Sequence, residues 1–385
     1  MPPESDARLP SLAEVVVRTG LNLQPGQPLL ITDPYDLQGV HPEAIPLAEA
    51  IGAQTEGSTT ILPADPVRLR SLIANDDLPT YEKLVAAHIR RLHRHLDQGG
   101  AFLFLTGSAP RLMAGQPAGR LTRFDAVKWR HLGPVIQSLI RGASQWTLVP
   151  APTSEWADAA GVDLPTLWNT VFSALRIGPS GSRSLPDWKL HLTALAWQRD
   201  QLNAARRRRL RYTGSGTDLT LELPRSHRWC TTQLTTRRGV AFVANLPTEE
   251  IFTAPHKRSA HGTVRVARPV TVAGNVIDGI ELEFRFGRVV QARSRAGEDL
   301  LLQLLATDDG AARLGEVAVV PSTAGRATWQ NALPVFHHIL LDENSAPHIA
   351  LGDAYRFCSR AWFPLALNSS QIHLDLPLDA EVELT

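Results

Sequence analysis

Glu343, His348, His373 and Asp375 fall within two short stretches, LDENSAPHIALGDAY (341–355) and NSSQIHLDL (368–376). The same stretches carry Asp342, Asp353 and Tyr355 and are otherwise apolar or small. Carboxylates and imidazoles without a nearby thiol suit a borderline or hard divalent metal. From Gln371 to Leu376 polar and apolar residues alternate, so a strand puts His373 and Asp375 on one face. Glu343 and His348 lie five apart around Asn344, Ser345 and Pro347, which suits a turn or loop rather than one helix face. A lone His-x-Asp pair is more often a solvated strand face than a metal site, so the reading depends on what else the chain supplies.

Two further acidic elements supply it. Glu316 is the sole charge in LGEVAVV (314–320), and a carboxylate in a buried strand needs a partner such as a metal, whereas one at an exposed strand start does not. Glu249 and Glu250 are adjacent in an extended segment, so only one of them can face a given pocket. His337 and His338 sit in PVFHHILL (334–341), where one is expected to be a core histidine.

The elements that must position these groups divide the chain in two. In the first half, helical patterns at Leu12–Thr19, His41–Ala53, Thr80–Asp97 and Val135–Arg141 alternate with short strands at Leu29–Thr32, Thr59–Leu62, Ala101–Thr106 and Trp146–Pro150. That alternation predicts an α/β N-terminal domain with a parallel sheet over residues 1–185. Helices are expected at Leu164–Arg176 and Trp188–Tyr212, with the linker in GPSGSRSLP (178–186). From Tyr212 onward strands dominate, at 219–223, 264–266, 280–286 and 289–292, with helix at 298–305 and 309–313. Residues 186–385, including the helical connection 186–212, therefore read as an α+β, sheet-rich C-terminal domain carrying the metal-binding, catalytic residues.

Composition narrows the function classes. A chain of 385 residues exceeds one ordinary core, and its net charge of +1 creates no global field for nucleic acid or an anionic membrane. Cys230 and Cys358, the only cysteines, are far apart in sequence and suggest neither a disulfide framework nor a thiolate zinc site. No signal peptide and no apolar run of membrane-spanning length is visible, so a cytoplasmic protein with reduced thiols is expected. The early strands are followed by no glycine-rich phosphate loop, which argues against a nucleotide cofactor and a nucleotide-linked oxidoreductase. His88, His93 and His95 in HIRRLHRHL are interleaved with arginines and read as a solvated helix face, and Arg206–Arg209 as a solvated helix C-terminus.

Taken in order, NLPTEEIFTAP (245–255), LGEVAVVP (314–321), LDENSAPHIALGDAY and NSSQIHLDL resemble the thermophilic metalloaminopeptidase family of aminopeptidases T and S. TGLNLQPGQPLLI (19–31), WTLVPAPTSEWA (146–157), RYTGSGTDLTLEL (211–223) and HRW (227–229) extend the likeness over nearly the whole chain. The resemblance implies a dinuclear metal exopeptidase, an α/β N-terminal domain, a catalytic C-terminal domain and a homodimer. By motif it implies metal ligands at Glu250, Glu316, Glu343, His348, His373 and Asp375, with Tyr355 beside the metals and Glu249 outside the ligand set. Two divalent ions, zinc, cobalt, manganese or magnesium, are expected to activate a water that releases N-terminal residues from short peptides. Glu316 or a neighbouring carboxylate is the expected proton carrier, and Tyr355 the oxyanion donor. A relative that kept the site as a metal- or peptide-binding protein but lost turnover is the alternative.

Overall fold

The apolar runs of the first half form one four-stranded parallel sheet, ordered Thr59–Ile61, Leu29–Thr32, Ala101–Thr106, Trp146–Pro150. The computed structural model describes residues 6–179, 183–272, 274–321 and 328–385. Three of the covering helices start on an aspartate that accepts a backbone N–H of the first turn: Asp65 before Pro66–Ala74, Asp77 before Leu78–Asp97 and Asp163 before Leu164–Ala174. Among the described residues no helix is long and apolar enough to cross a membrane.

Several local expectations are corrected. In Leu78–Asp97 the buried stripe is Tyr81, Val85, His88, Ile89, Leu92 and His95, so two of the three histidines face the core instead of solvent. His88 Nε2 bonds to Thr32 Oγ1 at 3.2 Å, and burial lowers its pKa to about 4, keeping it neutral. His95 Nε2–H donates to the Ala101 carbonyl at 2.9 Å, which leaves only His93 exposed. The helix expected at 135–141 is the end of a longer one, Ala118–Ile140, that tolerates Pro134. The helix expected to reach Tyr212 stops at Ala205, and Arg209 opens the strand Arg209–Gly214 because the C-terminal strand Ala380–Leu384 pairs with it. Residues 309–312 form a turn and Arg313 a bridge to Arg288, since the Asp308 carboxylate accepts the N–H groups of Gly310 and Ala311. Positions 180–182 of the expected linker lie outside the described residues.

The chain clusters into two compact units that each use separated segments. One comprises Met1–His191, Thr232–Thr248 and Ala327–Ala332, and the other Leu192–Thr231, Glu249–Arg326 and Leu333–Thr385. The second unit holds a six-stranded antiparallel sheet, from Arg288–Arg293 at one edge to Ala380–Leu384 at the other, and a four-stranded antiparallel sheet. The latter is ordered His373–Pro377, His348–Gly352, Leu314–Val319, Ile251–Thr253.

Strand parity assigns the two faces of this smaller sheet different tasks. Ile251, Val317, Ile349, Leu351, Leu374 and Leu376 enter the apolar core shared with Leu210, Tyr212, Leu219 and Leu221 of the larger sheet. The opposite face carries Glu316, His348, Ala350, His373 and Asp375, as the pairs Glu316 with Ala350, Ala350 with Asp375 and Ala318 with His348 require. Leu314 is in the core although it lies two residues from Glu316. A bulge between them resolves this, because the extra residue Gly315 switches the parity and turns Glu316 to the other face.

A side chain at 315 has no room: its Cβ would lie 2.2 Å from the Asp353 carbonyl oxygen and 2.5 Å from that of Gly352. Gly315→Ala is expected to destabilise the protein by about 1 to 3 kcal/mol through overpacking against backbone. Urea unfolding of the metal-free protein measures this, and an unchanged midpoint would show that the bulge relaxes freely.

Candidate metal centre

Six of the residues singled out in the sequence converge on the polar face of the four-stranded sheet. Glu250 immediately precedes the strand Ile251–Thr253, Glu316 follows the bulge, His348 opens its strand, and His373 and Asp375 share theirs. Glu343 ends the short helix Ile339–Glu343. Among the described residues two groups emerge whose ligand atoms lie within 4.8 Å of one another: Glu250, Glu316 and His348, and Glu316, His373 and Asp375. Glu316 is common to both, one oxygen 3.6 Å from His348 Nε2 and the other 3.9 Å from His373 Nε2. His348 Nε2 is also 3.2 Å from Glu250 Oε2, and His373 Nε2 is 3.3 Å from Asp375 Oδ1.

Both imidazoles are turned by their other nitrogen. His373 Nδ1 is 3.0 Å from the Asp353 carbonyl and His348 Nδ1 is 3.3 Å from that of Ala346. A carbonyl only accepts, so Nδ1 carries the hydrogen in each ring and Nε2 is the nitrogen turned to the carboxylates, donating to them when protonated and offering a metal its lone pair when not.

The electrostatics match an unmet demand for positive charge. Burial raises the pKa of Glu316, and the Glu250 and Asp375 carboxylates push the same way against the opposing contacts of His348 and His373. Burial raises Glu343 well above its ordinary value, reinforced by Glu250 and Asp375. For His348 burial alone would lower the pKa, but contacts with Glu250 and Glu316 hold it well above the usual imidazole range. His373 behaves likewise: burial is outweighed, chiefly by Asp375, and its pKa rises to about 10. The positive charge of His373 in turn holds Asp375 low despite its burial.

Divalent cations fit these residues. Asp375 Oδ2 is buried without a hydrogen-bond partner, and Glu250 Oε2 and His348 Nε2, equally buried, have only their ion-pair contact and no well-directed hydrogen bond, although burying such atoms unsatisfied is costly. The donor set is oxygen and imidazole nitrogen throughout, and four carboxylates would balance the charge of two dications.

Glu343 is buried beside the two groups, but it supplies no atom to either. Glu249, next to Glu250, belongs to neither group, and its backbone N–H donates to the side chain of Asn344. Asn344 was not singled out in the sequence. It is fully buried, and its Nδ2 donates to Glu343 Oε1 and to the Leu340 carbonyl. An amide inside an otherwise acidic stretch was the available signal. Of the histidine pair, His338 is buried, as a core histidine should be, and His337 Nδ1 meets Thr271 Oγ1 at 2.8 Å.

Tyr355 borders the site at His373. Its ring centroid lies 5.7 Å from that of His373 and 6.0 Å from that of Phe252, and it stacks on Phe357 at 5.1 Å and 19°. With 37% of its surface exposed, it combines a fixed ring with an accessible edge.

The model of the thermophilic metalloprotease (M29) family matches residues 5–383. The chain belongs to that family. Aminopeptidase T of Thermus thermophilus is 34% identical over 97% of this chain and 92% of its own length. Aminopeptidase 2 of Geobacillus stearothermophilus is also 34% identical, over 91% and 84% respectively. The solved structure of wild-type AmpT from Thermus thermophilus superimposes with a TM-score of 0.87 at 32% identity, covering 98% of this chain and 94% of that one. The metallopeptidase accordingly combines the expected α/β sheet and sheet-rich C-terminal region with two candidate ligand groups. It is a metal-dependent aminopeptidase.

Because Glu316 alone is common to both groups, Glu316→Gln is expected to lower bound metal at both positions, whereas Glu250→Gln affects one. Metal analysis after exhaustive dialysis reads this as stoichiometry per chain. Equal stoichiometry in Glu316→Gln and the parent would remove Glu316 from the centre.

Proposed function

We propose that the enzyme removes N-terminal residues from short peptides, using two divalent ions held by Glu250, Glu316, Glu343, His348, His373 and Asp375. The observation that carries this reading is the position of Glu316, one oxygen towards each group, as a shared carboxylate requires. Divalent cations at such a centre lower the pKa of water and polarise a carbonyl. Catalysis belongs in this reading to the C-terminal domain, residues 186–385, and the N-terminal domain, 1–185, carries none of the site residues.

The chain's own groups do the rest. Glu316, or the neighbouring carboxylate Glu343, carries the proton to the leaving amine. Asn344 Nδ2 donates to Glu343 Oε1, which leaves Oε2 to the centre. The Tyr355 hydroxyl donates to the oxyanion that develops on the scissile carbonyl, its ring kept in place by Phe357 and Phe252. The loaded centre would hold a free α-amine through its lone pair, which an acylated nitrogen does not offer. The enzyme acts in the cytoplasm as a homodimer, for which the exposed Trp362, Phe363 and Leu365 supply apolar surface.

Kinetics on a chromogenic aminoacyl amide and its N-acetyl derivative test this. The metal-loaded enzyme should cleave the first, lose activity to chelator and recover it with added metal, and leave the acetylated substrate intact. Comparable cleavage of acetylated peptides or of internal bonds in long chains would make it something other than an exopeptidase. Under the same conditions Tyr355→Phe should lose roughly a hundred- to thousandfold in kcat, equivalent to about 2.7 to 4 kcal/mol, with parental metal content. A kcat within a few-fold of the parent would make Tyr355 scaffold only.

A further inference from the structure

We propose that Cys230 and Cys358 form an oxidation site: peroxide converts the pair to a disulfide, and the closure displaces Tyr355 and slows the peptidase. The effect on turnover rests on the function proposed above, and the formation of the bond does not.

Although distant in sequence, both cysteines are free thiols buried in one small cluster with Phe252, Ala254, Ala318, Ala354 and Leu367, on the side of the four-stranded sheet that carries the metal centre. Their backbones are fixed to neighbouring segments. Cys230 exchanges both hydrogen bonds with Phe252, at 2.8 and 3.0 Å, while Arg228 N–H donates to the Cys358 carbonyl at 2.8 Å. His227 and Ser359 pair next to these. The Cys230 thiol faces the Arg228 carbonyl at 3.6 Å and, at 3.8 Å, that of Phe357, the residue next to Cys358. Closure therefore needs no rearrangement of distant chain, only the approach of two thiols that share one small cluster.

The chemistry has a direction. The Cys358 thiol donates to Cys230 and lowers its pKa against the effect of burial, whereas burial holds Cys358 well above the usual thiol range. Cys230 is also the less enclosed, at 7% exposure against 1%. Cys230 is thus the attacking thiolate. Its sulfur bonds to one oxygen of hydrogen peroxide, the O–O bond breaks, and the expelled hydroxide takes up the thiol proton and leaves as water, giving a sulfenic acid. The Cys358 sulfur then attacks the Cys230 sulfur, and the hydroxide released takes the Cys358 proton as a second water. Two thiols and one peroxide become one disulfide and two waters, the two electrons passing from sulfur to peroxide oxygen.

The consequence reaches the metal centre through the short turn Arg356–Cys358. Cys358 N–H donates to the Tyr355 carbonyl at 3.0 Å, and the intervening Phe357 stacks on the Tyr355 ring. A covalent S–S bond is much shorter than a thiol contact, so it draws this turn towards Cys230 and moves Phe357 and Tyr355 relative to His373.

The metal-loaded full chain is treated with hydrogen peroxide, free thiols are alkylated, and peptides are mapped by mass, with kcat measured before and after addition of dithiothreitol. The expected result is a peptide pair joined at Cys230 and Cys358, two hydrogens lighter than its parts, with kcat about tenfold lower and restored by reductant. Cys230→Ala and Cys358→Ser should give no cross-link and keep their kcat through the same treatment. The proposal is overturned if both cysteines remain alkylatable, if the cross-link forms with kcat unchanged, or if the variants lose kcat as the parent does. The comparison of oxidised and reduced parent needs no variant to fold. An enzyme inactive when reduced would refute the proposed function, and peptide mapping would still decide whether the bond forms.

Discussion

Burying like charges together is the constraint on which the rest of this structure turns. Glu250, Glu316, Glu343 and Asp375 are all buried in one unit, where two unit charges 4 Å apart repel by about 4 kcal/mol even at an effective dielectric of 20. Without cations the chain answers with protons: His348 and His373 hold theirs well above the usual range, and Glu316 and Glu343 are pushed towards the neutral acid. Each of these protons occupies an atom with a lone pair suited to a metal. The arrangement is therefore poised for exchange of protons against divalent ions, and metal uptake and proton release are one process. The scaffold that tolerates it is the reverse face of the same strands, where Val317, Ile349, Leu351 and Leu376 are fully buried, each such side chain contributing about 1.5 to 3 kcal/mol.

That two-faced strand explains what the sequence disclosed. His373-Leu374-Asp375-Leu376 states its parity outright, as period-2 alternation, and the structure keeps it. Glu316 was legible as a lone charge in an apolar run, but its direction was not, because Gly315 breaks the alternation with a bulge that composition does not announce. The parallel sheet of the first half followed from its alternating strands and helices. The misreadings have local causes. HIRRLHRHL is interleaved with arginine, yet His88 and His95 fall on the same stripe as Tyr81, Val85 and Leu92, so helical phase outweighed neighbouring charge. The helix ending before Arg206 and the strand at Arg209 depend on pairing with residues 380–384, a contact between positions too distant for any local pattern to register. The nearness of Cys230 and Cys358 was hidden for the same reason.

Asn344 shows how the constraint selects residue type beyond the charged groups themselves. Its side chain joins three separate pieces of backbone and side chain: Oδ1 accepts the Glu249 N–H, while Nδ2 donates to Glu343 Oε1 and to the Leu340 carbonyl. Those contacts tie the segment leading into Glu250 to the helix that ends in Glu343. They demand an acceptor on one side and donors on the other, from a group that adds no charge. Aspartate would supply the acceptor but would set a fifth carboxylate against Glu343, and a lysine or arginine would offer no acceptor for Glu249. Leucine of similar size would leave the buried Glu249 N–H without that partner, at a cost of about 1 to 3 kcal/mol. Only a short carboxamide meets all three requirements. In a centre crowded with acids, the neutral side chain is thus as narrowly determined as the acidic ones, and it is determined by them.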